Sequence, residues 1–469
     1  MTNAYPSVNP PSSRWCFVPA CCLVVCLALF VFPGLAAAAD SLAWHASQDR
    51  VDADINSMDL TTFLEKVSAA TGWKVFLDPG ASHVASAKFK NLPTGEALRA
   101  LLGDLNFVVV RPPGARTQLY VFRTSQQQAT RLIVAPPRKP AQPVPNQLVV
   151  TLKPGSKTKI DDLARALGAK VIGRMDAQNA YLLQFDDPAA TQAARDQLAN
   201  NSDVASVDSN YPVDPPPPLD LSQASSPDLK LNPITNNNNN CQLVVGLIDT
   251  PVQPLNANLN QFLQPAIHVA PASQVPASPI THGTAMAETI MDALQAKTGG
   301  NTSVKILPVD VYGNGETTTT FDVANGIVQA VNNGADIINL SLGSTGDSQV
   351  LHNTINQVIQ QGIPIYAAAG NEPVTTPTYP AAYPGVVAVT ATDASGQIAP
   401  YANRGSFVDL AITGDNVVPY NGQSWLVEGT STSTAFASGM AAGLADHAHD
   451  CADQAEGLLQ SSMKSMPRP

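Results

Sequence analysis

The sequence predicts an α/β protein built on a parallel sheet with helices on both faces, preceded by two small α+β modules. In the final 229 residues, near-continuous apolar segments such as "QLVVGLI" and "ADIINLSL" alternate with amphipathic helical segments. Apolar strands that alternate with helices are typical of parallel sheets buried on both faces. Upstream, one segment has the order strand, helix, strand, strand, helix, strand, which predicts a ferredoxin-like split motif. Proline-rich spacers separate the three parts.

Length and charge limit the classes of protein to consider. A chain of 469 residues with 44% hydrophobic residues is too long for one hydrophobic core and predicts several domains. The net charge of −11 is unevenly placed, because 17 acidic residues stand against 5 basic ones from Cys241 onward. An acidic C-terminal part repels a phosphate backbone. We therefore expect no nucleic-acid partner.

The N-terminus has the pattern of an export signal, predicted at 1–39. Arg14 precedes an apolar run at 15–32, and small residues follow at Ala37 and Ala39. We expect cleavage after Ala39. The alternative is an uncleaved membrane anchor, because the run approaches the length of a transmembrane span.

The N-terminal module, predicted at 40–125, has the pattern of a small α+β fold. An amphipathic helix precedes the strand "WKVFLD", the helix "LPTGEALRALLGDL" and a hairpin of "FVVV" and "LYVF". The apolar face of the first helix comprises Leu60, Phe63, Leu64 and Val67. The pattern resembles the short N-terminal domain of secretins and TonB-dependent receptors, which implies docking onto an envelope protein; the alternative is a generic α+β module. A proline-rich linker, 126–145, follows.

The middle module, predicted at 146–213, carries the split βαββαβ pattern from "LVVTLK" to "VASVDS". Together with its ending "VASVDSNYPV", it resembles the propeptide of subtilisin-like proteases. The resemblance implies an intramolecular inhibitor whose last strand occupies the substrate cleft. The next segment, 214–240, contains "DPPPP" and "NNNNN" and predicts a disordered linker with a processing site.

Four polar residues of the C-terminal domain, predicted at 241–469, stand at strand ends or helix starts. Asp249 ends "VVGLID", His282 begins a helix in "THGTAMAETI", Asn371 follows "AAAG", and Ser431 opens the last helix. Each alone is most often a cap or turn residue. Together they fit an α/β sheet that delivers side chains at the carboxyl ends of its strands. The order Asp, His, Ser is one of the known triad orders.

The motifs "VVGLIDT", "HGTAMA", "NLSLG", "AAAGN" and "GTSTSTAFASG" resemble those of the subtilisin-like serine proteases over 241–447. The resemblance implies that Ser431 is the nucleophile, His282 the general base and Asp249 its orienting acid. It also implies that the Asn371 amide and the Ser431 N–H hold the oxyanion. The implied substrate-binding residues are Ser341, Leu342, Gly343, Ala368, Ala369 and Gly370, with the substrate added as a strand against 341–343.

Physical reasoning supports Ser431 over its neighbours as the nucleophile. A hydroxyl in the first turn of a helix faces unpaired N–H groups and the positive end of the helix dipole. We expect the deeper hydroxyls of Thr432, Ser433 and Thr434 to bond backbone carbonyls instead.

The sequence also departs from the family pattern at three places. Pro251 stands where glycine is usual, Thr432 and Ser433 replace Met-Ala, and Ala435 and Phe436 replace Pro-His. All three alter the support of the triad without removing a catalytic atom.

The cysteines agree with export. Cys241 and Cys451 alone remain after removal of the signal, which predicts one disulfide in an oxidising compartment; the alternative is two unpaired buried thiols. The sequence contains no CxxC motif and no acidic calcium loop such as D-x-D-x-D-G. We therefore predict no metal site and no cofactor; calcium, which the family often binds, has no support in the sequence.

These observations predict an exported serine endopeptidase made as a zymogen, with protein or peptide substrates and its own propeptide as inhibitor. The alternative is a catalytically silent binding or envelope-assembly protein with the same fold. The N-terminal module favours the periplasm or outer membrane of a Gram-negative bacterium, or secretion beyond it.

Overall fold

The computed structural model describes residues 40–45, 49–112, 116–133, 140–214, 219–222, 226, 229–234, 242–270, 275, 279–315 and 317–448. The predicted export signal, Cys241 and Cys451 lie outside these residues. The signal and the disulfide therefore stay predictions.

The N-terminal module contains two small sheets and two helices. Its elements are β1 (Ser41–His45), β2 (Arg50–Asp59), α1 (Leu60–Thr71), β3 (Lys74–Leu77), β4 (Val84–Pro93), α2 (Thr94–Leu102), β5 (Asn106–Val110), β6 (Gln118–Phe122) and β7 (Arg131–Ile133). The sheets have the strand orders β1-β2-β4 and β5-β6-β3-β7. All four residues of the predicted helical face, Leu60, Phe63, Leu64 and Val67, are buried in the core of the module.

One boundary of this module differs from the prediction. β7 falls inside the segment predicted as a linker at 126–145, and it pairs antiparallel with β3. Ile133 is buried in the core of the module. The N-terminal module therefore extends to Ile133, because the pairing of β7 with β3 and the burial of Ile133 order this segment although prolines follow it.

The middle module has the predicted order: β8 (Gln147–Leu152), α3 (Ile160–Ala166), β9 (Lys170–Met175), β10 (Ala180–Gln184), α4 (Pro188–Leu198) and β11 (Val204–Asp208). Its sheet has the order β11-β8-β10-β9, and every pair is antiparallel. The first strand therefore lies next to the last, as a split βαβ motif requires.

The segment expected to be a disordered linker is partly ordered. It contains β13 (Asp220–Ser222) and β14 (Asn232–Pro233), and β12 (Pro212–Val213) precedes it at the end of the middle module. β13 pairs with residues 424–426 and β14 with residues 301–302. Leu231 is fully buried in the core of the C-terminal domain, and Leu219 and Leu229 pack against that core. Burial of these leucines orders parts of a segment whose polar and proline-rich composition predicted disorder.

The C-terminal domain is a parallel sheet with helices on both faces. Its elements are β15 (Val244–Asp249), β16 (Ile267–His268), α5 (His282–Thr298), β17 (Asn301–Thr302), β18 (Lys305–Asp310), β19 (Thr318–Thr319), α6 (Thr320–Asn332), β20 (Ile337–Leu340), α7 (Gln349–Ile359), β21 (Ile365–Ala368), β22 (Val387–Thr392), β23 (Leu410–Thr413), β24 (Asp415–Tyr420), β25 (Gln423–Glu428) and α8 (Thr430–Ala448). Seven strands pair in parallel in the order β16-β18-β15-β20-β21-β22-β23.

The two faces of this sheet support two apolar cores. α5 and α8 pack over one face, with Met286, Ile290 and Ala441 in the shared core. α6 and α7 pack over the other face, with Phe321 and Ile355. The near-continuous apolar strands are explained by burial on both sides. Among the described residues, no helix combines the length and apolar character needed to cross a membrane.

The burial of Leu231 makes the ordered linker testable. Leu231→Ala should lower the free energy of unfolding by about 2–5 kcal/mol, because it leaves a cavity in the core. Leu221→Ala is the matched control, since Leu221 is 53% exposed, and we expect a change within about 0.5 kcal/mol. Urea unfolding of the full chain measures both. Equal effects would show that the linker does not pack as described.

Candidate active site

Asp249 and His282 form a buried hydrogen-bonded pair. Asp249 ends β15, and His282 is the first residue of α5, whose N-cap is Thr281. His282 Nδ1 lies 2.8 Å and 3.0 Å from the two carboxylate oxygens of Asp249. The side chains are only 2% and 3% exposed. A proton on Nδ1 shared with the carboxylate makes Nε2 the basic atom of the ring.

The turn after Asp249 holds the carboxylate in place. Thr250 N–H donates to Asp249 Oδ1 at 2.7 Å, and Thr250 Oγ1 accepts the Gly283 N–H at 2.8 Å. A Cβ on Gly283 would lie 2.2 Å from the Thr250 carbonyl oxygen, so only glycine permits this approach. Pro251 is accommodated in the turn, because its carbonyl accepts the Thr281 hydroxyl at 2.6 Å.

Ser431 is the second residue of α8 and is buried. Its hydroxyl donates to the Ser341 carbonyl at 3.0 Å, and the Ser341 hydroxyl donates to the Ser431 carbonyl at 2.9 Å. His282 Nε2 is buried and has no hydrogen-bond partner among the described residues. The structure therefore joins Asp249 to His282 and Ser431 to Ser341, but makes no hydrogen bond between Ser431 and His282.

The neighbouring hydroxyls differ from Ser431 in their bonding. Ser433 Oγ donates to the carbonyls of Ile412 and Thr413 at 3.0 Å and 3.1 Å. Thr434 Oγ1 donates to the Thr430 carbonyl at 2.7 Å. The expectation that deeper hydroxyls bond backbone carbonyls is confirmed for these two residues. It is wrong for Thr432, whose buried hydroxyl has no partner in the described part of the chain.

Asn371 lies at the N-terminus of the same helix. Its Oδ1 accepts the Thr430 N–H at 2.9 Å and the Thr430 hydroxyl at 3.1 Å. This bonding fixes the amide plane, and Nδ2 faces Gly429, where a Cβ would lie 3.2 Å from it. Gly429 has φ +156°, a conformation that favours glycine. Because the first N–H groups of a helix have no intrahelical acceptor, the Ser431 N–H is a second donor at this terminus.

Four of the predicted substrate-binding residues are buried in the structure: Ser341, Leu342, Ala368 and Ala369. Gly370 follows them at φ +108° and donates its N–H to Thr430 Oγ1 at 3.1 Å. β21 is thereby tied to the start of α8.

The middle module contributes a strand, β12, next to Ser344. β12 pairs antiparallel with β19, and the Ser344 hydroxyl donates to the Pro212 carbonyl at 2.8 Å. Tyr211 extends the pairing, since its carbonyl accepts the Thr320 N–H at 2.9 Å. β12 therefore lies against β19 and the Ser344 side chain, while Ser344 pairs its backbone with Tyr379. The expectation that a substrate strand lies against Ser341 to Gly343 stays a prediction.

Two side chains of the middle module cap helices of the C-terminal domain. Asp208 Oδ2 accepts the Ser348 hydroxyl at 3.0 Å and the Val350 N–H at 3.1 Å, at the start of α7. Asn210 Oδ1 accepts the Phe321 N–H at 3.1 Å, at the start of α6. These bonds satisfy donors that a helix terminus leaves open. The sequence contains no local signal for them, because the partners are over 100 residues apart.

A second buried acid lies on the helix that begins with His282. Glu288 is 3% exposed, and its Oε2 has no partner among the described residues. Burial, reinforced by the charge of Asp292, raises the pKa of Glu288 to about 8. Both carboxyl groups line a small pocket with Leu229 and Val418. In the described residues, no group of three His, Cys, Asp or Glu side chains is arranged to hold a metal ion.

Comparison with known families identifies two matched regions. The model of the Subtilase family matches residues 241–464. The model of the Fervidolysin N-terminal prodomain matches residues 130–210. The first region corresponds to the C-terminal domain. The second covers most of the middle module, the segment before it and β7 of the N-terminal module.

Curated relatives include the minor extracellular protease Epr of Bacillus subtilis, 39% identical over 111 residues, which are 24% of this chain and 17% of that protein. Subtilisin Savinase of Lederbergia lenta is 34% identical over 180 residues, which are 36% of this chain and 67% of that protein. The chain covers 17%, 46% and 47% of the first three relatives, so it spans less than half of each.

Solved structures share the fold. Fervidolysin from Fervidobacterium pennivorans, a keratinolytic enzyme related to subtilisin, has a TM-score of 0.52 at 17% identity; the likeness covers 68% of this chain and 57% of that one. The epidermin leader peptide processing serine protease from Staphylococcus aureus has a TM-score of 0.51 at 17% identity, covering 69% and 94%. The predicted fold class is confirmed.

Glu288 should make the stability of the protein depend on pH. Because its pKa is raised from 4.5 to about 8 in the folded chain, the folded state keeps a proton that the unfolded state loses. The stabilisation is complete below pH 4.5 and is lost as pH rises to about 8. Glu288→Gln should match the wild type near pH 4.5 and exceed its stability at pH 8. Thermal unfolding of both proteins at both pH values measures this. The same difference in stability between variant and wild type at pH 4.5 and at pH 8 would contradict the assignment.

Proposed function

The chain belongs to the subtilase family, and on this premise we propose that it is an exported serine endopeptidase made as a zymogen. One observation carries the proposal: the buried pair in which His282 Nδ1 contacts both Asp249 oxygens and Nε2 has no other partner among the described residues. An imidazole held by a carboxylate, with its second nitrogen unoccupied, is the base that a serine nucleophile requires.

The proposed mechanism assigns one role to each residue of the pair and to Ser431. Ser431 Oγ attacks the carbonyl carbon of the scissile peptide bond, and His282 Nε2 accepts the hydroxyl proton. The same proton passes to the leaving amine when the tetrahedral intermediate collapses. Asp249 holds the imidazole orientation and stabilises the imidazolium. Water then attacks the acyl-enzyme with His282 again as the base, and the acid product is released.

The proposed oxyanion donors are Asn371 Nδ2 and the Ser431 N–H. The Asn371 amide is oriented through Oδ1, which accepts two donors of Thr430. A donor held in this way needs no reorganisation when negative charge develops on the carbonyl oxygen. The nucleophile, base and oxyanion donors are all protein groups, so we propose that the reaction needs no cofactor.

A catalytically silent binding protein is the second candidate, and one observation favours it. The Ser431 hydroxyl is engaged by the Ser341 carbonyl rather than by His282. We assign this arrangement to the resting zymogen. Side-chain rotamers of serine interconvert at low cost, so a rotation about the Cα–Cβ bond of Ser431 releases the hydroxyl.

The zymogen proposal is supported by the strand that the middle module adds to the C-terminal domain. β12 lies between β19 and Ser344, next to the predicted substrate-binding residues. We propose that this strand occupies the substrate groove and that self-cleavage follows it. Because Leu219, Leu229 and Leu231 pack in or against the core of the C-terminal domain, we place the cut between Asp214 and Leu219.

The compartment and partners are proposals of the same kind. An export signal at 1–39 and a Cys241–Cys451 disulfide fit the periplasm, the outer membrane or secretion. Protein or peptide chains are the proposed substrates, bound as an added strand. Docking of the N-terminal module onto an envelope protein rests on its resemblance to secretin and TonB-receptor domains.

The choice of nucleophile can be tested with one matched pair of variants. Ser431→Ala should abolish labelling by a fluorophosphonate probe and self-processing, because it removes the proposed nucleophile. Ser433→Ala should keep both, since Ser433 donates to backbone carbonyls. Gel fluorescence and intact mass measure the two outcomes. A wild-type protein that is processed but unlabelled would support the silent alternative.

The processing site can be located by N-terminal sequencing of the mature protein. We expect the first residue to lie after Asp214 and no later than Leu219. A start beyond Leu231 would contradict the assignment, because it would remove a fully buried side chain from the core. Ser431→Ala should yield no such N-terminus when expressed alone.

A further inference from the structure

The C-terminal domain presents an acidic and aromatic surface at the end of β25, which we call the Glu428 patch: Tyr401, Asp415 and Glu428. Glu428 is the last residue of β25 and stands three positions before Ser431. Burial raises the pKa of both Glu428 and Asp415, and the charges of Arg116 and Lys74 oppose the rise. Both cations belong to the N-terminal module. The patch is therefore faced by positive charge from another part of the chain.

Arg116 joins the N-terminal module to the patch by direct contacts. Its Nε lies 2.6 Å from Glu428 Oε2, and its Nη2 donates to the Glu428 carbonyl at 3.0 Å. The guanidinium carbon lies 4.7 Å from the centre of the Tyr401 ring. Nη1 donates to the Gly72 carbonyl at 3.2 Å, which fixes the side chain within its own module. One guanidinium thus makes three separate contacts with the C-terminal domain.

Burial makes this contact stronger than a surface ion pair. The side chains of Arg116 and Glu428 are 16% and 7% exposed. Exposed pairs contribute little because water and salt screen them. Loss of one partner from a buried pair leaves an uncompensated charge and costs several kcal/mol. The contact therefore holds the N-terminal module against the C-terminal domain.

The middle module is anchored on different elements of the C-terminal domain. It contacts the starts of α6 and α7 through Asn210 and Asp208, and β19 through β12. The N-terminal module contacts the end of β25 through Arg116. Both modules lie before Asp214 in the chain, so a cut after Asp214 leaves them on one fragment.

We propose that the N-terminal module is a second anchor of the inhibitory fragment, with the Glu428 patch as its binding surface. The inference rests on the proposed zymogen function. After cleavage, the fragment stays bound through two separate contacts. When the middle module dissociates, Arg116 keeps it near the cleft, and it rebinds at a high effective concentration. The N-terminal module thus delays release of the inhibitor.

The test uses the full chain and does not depend on its activity. In a Ser431→Ala background, the recognition sequence of a site-specific protease replaces residues 215–218. After cutting, the dissociation rate of the N-terminal fragment from the C-terminal domain is measured by surface capture. We expect Arg116→Ala to raise this rate at least about tenfold, because truncating one partner of a buried charge pair acts on dissociation.

Arg99→Ala is the matched control. It removes the same charge from the same module, and the Arg99 guanidinium lies over Phe107 at 4.9 Å, within that module. We expect its dissociation rate to equal that of the parent. Equal rates for Arg116→Ala and Arg99→Ala would overturn the proposal.

Glu428→Gln provides a second variant in case Arg116→Ala does not fold. It should also accelerate dissociation, and adding Arg116→Ala to it should have a smaller effect than Arg116→Ala alone, because the two residues act through one pair. Additive effects would overturn the assignment of Arg116 to Glu428. Failure of the wild type to label with fluorophosphonate would refute the protease function while leaving the dissociation result unchanged.

Discussion

The arrangement of the site depends on the buried pair of Asp249 and His282. A buried carboxylate or imidazole without a hydrogen-bond partner is costly in an apolar interior. The side chains of Asp249 and His282 must therefore lie within hydrogen-bonding distance of each other. The close approach of Gly283 to Thr250 brings the start of α5 onto the end of β15 and makes this meeting possible. β15 lies inside the parallel sheet, so its neighbours hold the pair rigidly.

The middle module binds the C-terminal domain by capping two of its helices. α6 and α7 each leave backbone donors open at their starts, and Asn210 and Asp208 supply the acceptors. The strand that follows these residues, β12, then reaches β19 beside Ser344. The caps and the strand belong to one continuous stretch of chain, so the caps help to hold β12 against β19.

An acidic residue of the C-terminal domain makes an ion pair with the N-terminal module. Arg116 neutralises Glu428 at the end of the strand that leads into α8. Gly429 and Thr430 connect this ion pair to Ser431, and Asn371 is bonded to the same turn. The fold thus brings Arg116, Asn371 and the start of α8 together beside the candidate site.

Hydrophobic periodicity and short motifs are local properties, so they were enough to predict the α/β class, the split βαβ module and Asp249, His282 and Ser431 as candidate site residues. Tertiary structure alone decided that Leu231 lies in a core despite its proline-rich surroundings. It also decided the pairing of Arg116 with Glu428, 312 residues away, and the direction of the Ser431 hydroxyl. These features depend on contacts between distant segments, and composition and spacing carry no information about which distant groups meet in a folded chain.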